Sequence, residues 1–188
     1  MTQHQPDPTI LRNLLDYDPD TGALTWRERQ VEMFEESPRG AERAASSWNA
    51  RYAGRPALAS VGRQGYARGS ILDRIYLAHR VAWAIYYGSW PADEIDHINH
   101  VRTDNRISNL RAVSRDENCR NASRASNNTS GTTGVSWHRA GRKWLAVIVH
   151  DGEQRYLGLF SEYSEAVAAR KAAERELSFH LNHGKAVR

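Results

Sequence analysis

The spacing of apolar and polar positions changes character several times along the chain. In residues 77–87, LAHRVAWAIYY, apolar side chains fall on most faces of a helix, as in a buried helix, and Gly88 supplies its C-terminal stop. In residues 134–160 the pattern alternates instead, which predicts a three-stranded antiparallel sheet with strands at 135–138, 143–149 and 155–159. The strands are joined around Ala140-Gly141 and Asp151-Gly152, the second a good hairpin signal. Ser164 can then cap a helix whose Val167, Ala169, Ala173 and Leu177 offer an apolar side to the sheet, leaving the other sheet face for a partner. Its Glu165, Arg170, Lys171, Glu174, Arg175 and Glu176 read as a solvated face, and residues 180–188 as a fraying end.

The remaining segments have weaker periods. A short helix at 10–15 is followed by a turn, Asp18-Pro19-Asp20-Thr21-Gly22, and a strand at 23–26. Residues 31–50 are irregular, and 65–72 with 74–76 form a hairpin around Asp73. A strand at 94–98, a turn at Thr103-Asp104-Asn105 and a return strand at 110–113 make a second hairpin with a long loop. Ser114-Arg115-Asp116-Glu117 matches a capping box, which starts a helix that carries Asn118 and Asn121 on nearly one face. A hairpin packed on that helix would bring Asn118 back to Asp96. Residues 122–133, ASRASNNTSGTT, are small, polar and aperiodic, as in a linker. The expectation is an α+β chain with a support region at 1–90, a hairpin-helix core at 91–121, a linker at 122–133, a sheet-helix domain at 134–180 and a flexible tail at 181–188.

Composition adds a partner class. The 188 residues suffice for one larger domain or for two or three small modules, and the formal net charge of +4, with a pI near 9.4, suits a polyanion without requiring one. Distribution says more: Glu32, Glu35 and Glu36 collect early, whereas Arg102, Arg106, Arg111, Arg115, Arg120 and Arg124 punctuate the hairpin and its exit. Cys119 is the single cysteine, read as a small buried helix residue; an internal disulfide and a cysteine zinc knuckle are excluded. The N-terminus has no signal-peptide core, and the most apolar segment is broken by His79 and Arg80, so a cytoplasmic location is expected.

Asp96-His97 carries the chemistry. Hydrolysis of a phosphodiester needs water deprotonated near neutral pH, the range in which histidine titrates, and charge relief on the departing oxygen, which a hard divalent cation supplies. Asp96 offers a carboxylate and Asn118 an amide oxygen, both suited to Mg²⁺ or Mn²⁺, leaving His97 as base. Neighbours on a strand point to opposite faces, so the strand must end or twist at this pair.

The segment from Glu94 to Asn121, with His97, Asn109 and Asn118 in order and with Asn105-Arg106, Asn109-Leu110 and the helix cap in register, resembles the ββα-metal motif of the HNH endonucleases. It matches the HNN variant of phage and intron-encoded enzymes. The resemblance implies that Asp96 is a metal ligand, His97 the general base, Asn109 a brace of the hairpin that helps hold the histidine, and Asn118 a second metal ligand. His100 stands where the family often has glycine; an exposed loop histidine is the favoured reading, with phosphate or metal contact the alternative. The preceding stretch YLAHRVAWAIYYGSWP resembles the leader of many phage HNH proteins and implies structural support. In it, His79 and Arg80 either pack locally or reach DNA.

The pattern GVSWHRAGRKWLAVIVHDGEQRYLGLFSEYSEAVAARKAAERE is similar to the Apetala/ethylene-response-factor DNA-binding domain, from about Gly134 to Glu176, with a first hairpin that differs in length by about one residue. That family lays its sheet in the major groove, which implies DNA contacts from Trp137, Arg139, Arg142, Lys143, Trp144 and Arg155, alongside Arg102, Arg106, Arg111 and Arg115 of the nuclease motif. Core packing is an equal reading for each tryptophan, and Tyr156 is equally a cross-strand residue. Together these readings imply an endonuclease of phage or homing type that acts on double-stranded DNA as a monomer or homodimer and leaves a 5′ phosphate and a 3′ hydroxyl. The alternatives are a DNA-binding regulator with an inactive motif and a less specific packaging or defence nuclease.

Overall fold

The computed structural model describes residues 5–125 and 127–185. They divide into two compact units: the described residues up to His97 together with Arg102–Ala112, and Ile98–Val101 together with the described residues from Val113 onward.

The first unit begins with helix α1 (Pro8–Leu14), which Asp7 caps by accepting from the Thr9 N–H at 2.7 Å, with Pro8 at the first position. Strands β1 (Leu15–Tyr17) and β2 (Leu24–Trp26) pair antiparallel around a turn in which Asp18 accepts from the Asp20 and Thr21 N–H groups. Gly22 closes that turn at φ 76°, and a Cβ there would lie 2.5 Å from the Arg106 backbone nitrogen. A side chain is thus excluded by both conformation and space, and the turn can lie directly on the loop of the later hairpin.

Residues 31–50, expected to be irregular, contain a 3₁₀ turn (Val31–Phe34) and a 12-residue helix, α2 (Ala41–Tyr52). The helix has no apolar period because only its Ala45 is buried. Alanine and arginine favour it intrinsically, and its contacts are lateral: Trp48 packs edge-on against Trp26, the Arg29 guanidinium lies 3.9 Å over Trp48, and the Asn49 amide brackets the Arg29 backbone at 2.9 and 3.0 Å. Strands β3 (Ser60–Val61), β4 (Ala67–Ile71) and β5 (Arg74–Leu77) form an antiparallel sheet in that order, β3 being an addition to the expected hairpin. Leu72 and Asp73 make the two-residue turn, both with positive φ. Helix α3 (Ala78–Tyr87) ends at a left-handed Gly88, as its sequence indicates.

Val81, Ala78 and Ala84 of α3 join Leu11, Leu14, Leu15, Leu24 and Ile71 in the main core of this unit. Ala82, on another face of α3, packs with Ile95 and Leu110. Those two residues belong to β6 (Glu94–His97) and β7 (Leu110–Val113), which form a two-stranded sheet with a 3₁₀ turn (Ile107–Asn109) before β7. One buried helix therefore anchors both the core and the hairpin.

The second unit contains α4 (Arg115–Arg120), then β8 (Val135–His138), β9 (Lys143–His150) and β10 (Glu153–Phe160), an antiparallel sheet in the order β10-β9-β8, and α5 (Tyr163–Glu176). Val135, Ala146 and Ala166 form its core with Trp144, Leu157, Phe160, Tyr163 and Val167. Glu162, not Ser164, occupies the position before α5, with no side-chain cap. The charged side of α5 is not uniformly solvated. Arg170 is 3% exposed, and its guanidinium bonds Glu174 Oε1 at 3.0 Å, the Val147 carbonyl at 2.7 Å and His183 Nε2 at 3.0 Å.

These bonds also fix the end expected to fray. His183 is buried, the Gly184 N–H donates to the Ala122 carbonyl, and the Asn182 amide donates to the Ile98 carbonyl at 2.7 Å; residues 186–188 of that expectation lie outside the described residues. The stretch 122–133 carries no helix or strand among its described residues, yet it is fastened: Tyr163 donates to the Ser130 carbonyl, and Arg124 Nη1 donates to the Gly131 carbonyl. Among the described residues no helix is long and apolar enough to cross a membrane.

Burial lowers the pKa of His183 to about 4; the Glu174 carboxylate opposes the shift and Arg170 and Lys171 reinforce it. The folded protein holds this imidazole neutral while the unfolded chain protonates it near its ordinary pKa, so stability is complete above about pH 6.5 and is lost as pH falls towards 4. The contribution is up to roughly 3 kcal/mol. Urea unfolding of the wild type and of His183→Gln between pH 4 and 7 should show a shallower pH slope for the variant; equal slopes would contradict the assignment.

Candidate active site

Strand β6 stops at His97, so the chain turns immediately after the Asp96-His97 pair, and Ile95, Asp96 and His97 are all buried. Burying two polar neighbours requires partners for both. His97, 4% exposed, lies 3.4 Å through Nε2 from Asn105 Oδ1, an amide oxygen that accepts from the imidazole N–H. Asn105 is in turn held by Tyr17, whose hydroxyl donates to its carbonyl at 2.8 Å. Aromatic rings close the other sides: His79 stands edge-on to His97 at 5.0 Å, and Tyr66 lies 5.7 Å away.

Burial pulls the His97 pKa down; the Asn105 contact and the carboxylates of Asp96 and Asp104 oppose this, and Arg102 adds to it. The imidazole is therefore neutral at neutral pH and able to accept a proton. His79 is pushed further, to about 3, by burial and by its histidine and arginine neighbours. It is a packed residue of α3. Arg80 donates to the Asp93 and Pro91 carbonyls, a structural use of the second residue that had DNA contact as an alternative reading.

Asn109 is buried, and its Nδ2 donates to the Asp104 carbonyl at 2.8 Å, tying the end of the loop to its middle. Asp96 accepts two bonds at one oxygen, Oδ2, from Arg111 Nε at 2.9 Å and Nη2 at 2.7 Å. Of the arginines expected on DNA, Arg111 is thus paired to the candidate metal ligand. Arg106 is paired with Asp104 at 2.6 Å, and Arg102 donates to the Gln64 carbonyl and lies over Tyr66. Arg115 is exposed at the start of α4.

Asp96, His97 and Asn109 lie in the first unit; Asn118 lies in the second. Asn118 is half-buried on α4, whose start has both halves of the capping box: Ser114 Oγ accepts from the Glu117 N–H at 3.3 Å, and Glu117 Oε2 accepts from the Ser114 N–H at 2.9 Å. Cys119 is exposed, not buried as expected, because a six-residue helix offers few inward positions. His100 also differs from its favoured reading as a free loop residue. It adopts φ 66° and is part-buried with Nε2 3.0 Å from Oδ1 of Asn121, itself 1% exposed. The backbone there has the conformation that glycine tolerates best, and a side-chain contact holds histidine in it.

In the second unit, the register divides the residues expected to meet DNA. Trp137 and Trp144 pair across β8 and β9, their rings 5.2 Å apart, and Trp144 packs edge-on against Tyr163 of α5. Arg155 pairs in register with buried Ile148 and reaches Glu176 of α5 at 4.0 Å. These three belong to the helix-facing side. Lys143 alternates to the opposite side, as do the exposed Val149 and Tyr156, the latter 64% exposed, while Arg139 and Arg142 lie in the β8–β9 turn.

The site thus combines a neutral buried imidazole, a buried carboxylate and an arginine-rich loop. Residues 76–120 match the family model of the HNH endonuclease. No curated protein and no solved structure matches the chain. The HNH match points to a nuclease acting on DNA, a class that generally uses divalent metal ions. Asp96 in the first unit carries a carboxylate and Asn118 in the second an amide oxygen, each of the hard oxygen class that suits such an ion.

Sequence reasoning missed Tyr17, Tyr66 and Asn105 as supports of His97. Only Asn105 carried a local signal, as a turn former. The His100 geometry gives a stability test. His100→Ala removes the bond to Asn121 and keeps the strained backbone, at a cost of about 1 kcal/mol, whereas His100→Gly removes the bond and relieves the backbone, at a smaller cost. Chemical denaturation that found glycine as costly as alanine would contradict this.

Proposed function

We propose that the chain is a metal-dependent DNA endonuclease of the HNN type, of phage or homing kind, with His97 as general base. The carrying observation is the HNH match over residues 76–120, within which a buried, neutral His97 sits beside the Asp96 carboxylate. Asp96 and Asn118 are the proposed ligands of Mg²⁺, with Mn²⁺ able to substitute. The bound ion would supply charge relief on the phosphodiester and its leaving oxygen.

The chain's own part is positional and acid-base. Asn105 and the rings of His79 and Tyr66 restrict the His97 imidazole, so that its basic nitrogen meets a water molecule without rotamer search. His97 takes the proton of that water, whose oxygen attacks phosphorus and leaves a 5′ phosphate and a 3′ hydroxyl. Asn109 keeps the loop closed around it. A monomer with this site would nick one strand, and a homodimer would cut both.

In the second unit, we propose a DNA-binding role on the likeness to the Apetala/ethylene-response-factor pattern. The strand register supports Lys143 and the turn residues Arg139 and Arg142 over Trp144, which is engaged with α5. Trp137 and Arg155, exposed at the margins of the helix side, would meet only a duplex that reached round the sheet.

A supercoiled plasmid incubated with Mg²⁺ should be nicked by the wild type, and His97→Ala should lose about 10²–10⁴-fold in rate with DNA binding unchanged. Binding without cleavage by the folded wild type would favour a regulator that carries an inactive motif.

A further inference from the structure

Arg111 touches a proposed metal ligand directly. Its Nε and Nη2 converge on Asp96 Oδ2, and the carboxylate is 7% exposed while the guanidinium is 32% exposed. The two arginines of the loop before β7 are used elsewhere, Arg106 on Asp104 and Arg102 on Gln64 and Tyr66. A carboxylate removed from water needs a positive partner close by, and β7 supplies one from a side chain that keeps a route to solvent.

We propose that Arg111 is the counterion of Asp96 and competes with the divalent cation for that carboxylate. The inference rests on the reading of Asp96 as a metal ligand. A dication held at Oδ2 would repel the guanidinium bonded there, so Arg111 would give up that oxygen and turn towards its exposed side. A guanidinium released beside the site is placed to take a phosphate oxygen in two-pronged fashion. DNA that accepts Arg111 then removes the competitor, so DNA and metal each strengthen the binding of the other by the same factor. Arg111 would thereby keep the site from holding a metal ion tightly in the absence of substrate.

Mn²⁺ binding to the full chain without DNA, followed by electron paramagnetic resonance, tests this. Arg111→Gln, which removes the charge and keeps a hydrogen-bonding stem, should bind Mn²⁺ about tenfold more tightly than the wild type. Arg111→Lys, which keeps the charge, should stay near the wild type. Equal or weaker binding by Arg111→Gln overturns the competition, and so does equal tightening by both variants, which would signal loosening of the hairpin rather than loss of charge. Asp96→Ala, which leaves no oxygen ligand at that position, separates the premise: if it retains wild-type Mn²⁺ affinity, Asp96 is not a ligand and the inference falls with that reading. In the wild type itself, the Arg111 Nε–H resonance should shift on saturation with Mg²⁺; an unchanged resonance also overturns the proposal.

Discussion

Asp96 and His97 are buried side by side at the end of a four-residue strand, and much of the first unit is organised by the need to satisfy them. Neither group can rely on water, so each is met by a residue distant in sequence: Arg111 for the carboxylate, and Asn105, itself held by Tyr17, for the imidazole. The requirement reaches back to Gly22, whose lack of a side chain lets the β1–β2 turn lie on the Asn105–Arg106 backbone. It reaches also to α3, whose Ala82 packs the hairpin through Ile95 and Leu110 while its His79 closes the side of His97. The proposed base is held neutral by the same burial that makes the pair costly to fold.

The second unit solves a comparable problem with Arg170. Its guanidinium links α5 to β9 and to the C-terminal turn through three different acceptors, so a segment of low intrinsic order is fixed by one buried cation. The last described residues in turn meet Ala122 through the Gly184 N–H, and the described residues of 122–133 are held by Tyr163 and Arg124. The helix carrying Asn118 shares that framework through the Arg120 carbonyl, which accepts from the His180 N–H, and through the ion pair of Arg120 with Asp151 at 3.2 Å.

Local signals in the sequence were sufficient for the hairpin of β6 and β7, the capping box at Ser114, the stop at Gly88 and the three strands of the C-terminal sheet, because each depends on neighbours within a few residues. Helix α2 escaped because its support is lateral, through Trp26 and Arg29, and leaves no apolar stripe to read. The burial of Arg170 and Glu174 escaped because a charged helix face looks the same whether it meets water or a backbone carbonyl. At the candidate site, the sequence offered the residue types, and the partners that meet them came only with the fold. Arg111 was read as one more cation for DNA, and only the pairing of β7 with β6 brings it to Asp96. Period-two alternation was legible in β9, but which side α5 covers emerged only from the packing of Trp144 on Tyr163.

The proposed nuclease activity has a chemical signature in its products. Attack by water with the 3′ oxygen as leaving group yields a nick bounded by a 5′ phosphate and a 3′ hydroxyl, the ends that DNA ligase rejoins without prior repair. The most direct measurement is therefore ligase treatment of plasmid exposed to the protein and Mg²⁺. Nicked circles that ligase reseals in full are expected; circles that stay intact with the folded protein in either Mg²⁺ or Mn²⁺, or nicks that ligase cannot close, would contradict a hydrolytic nuclease of this type.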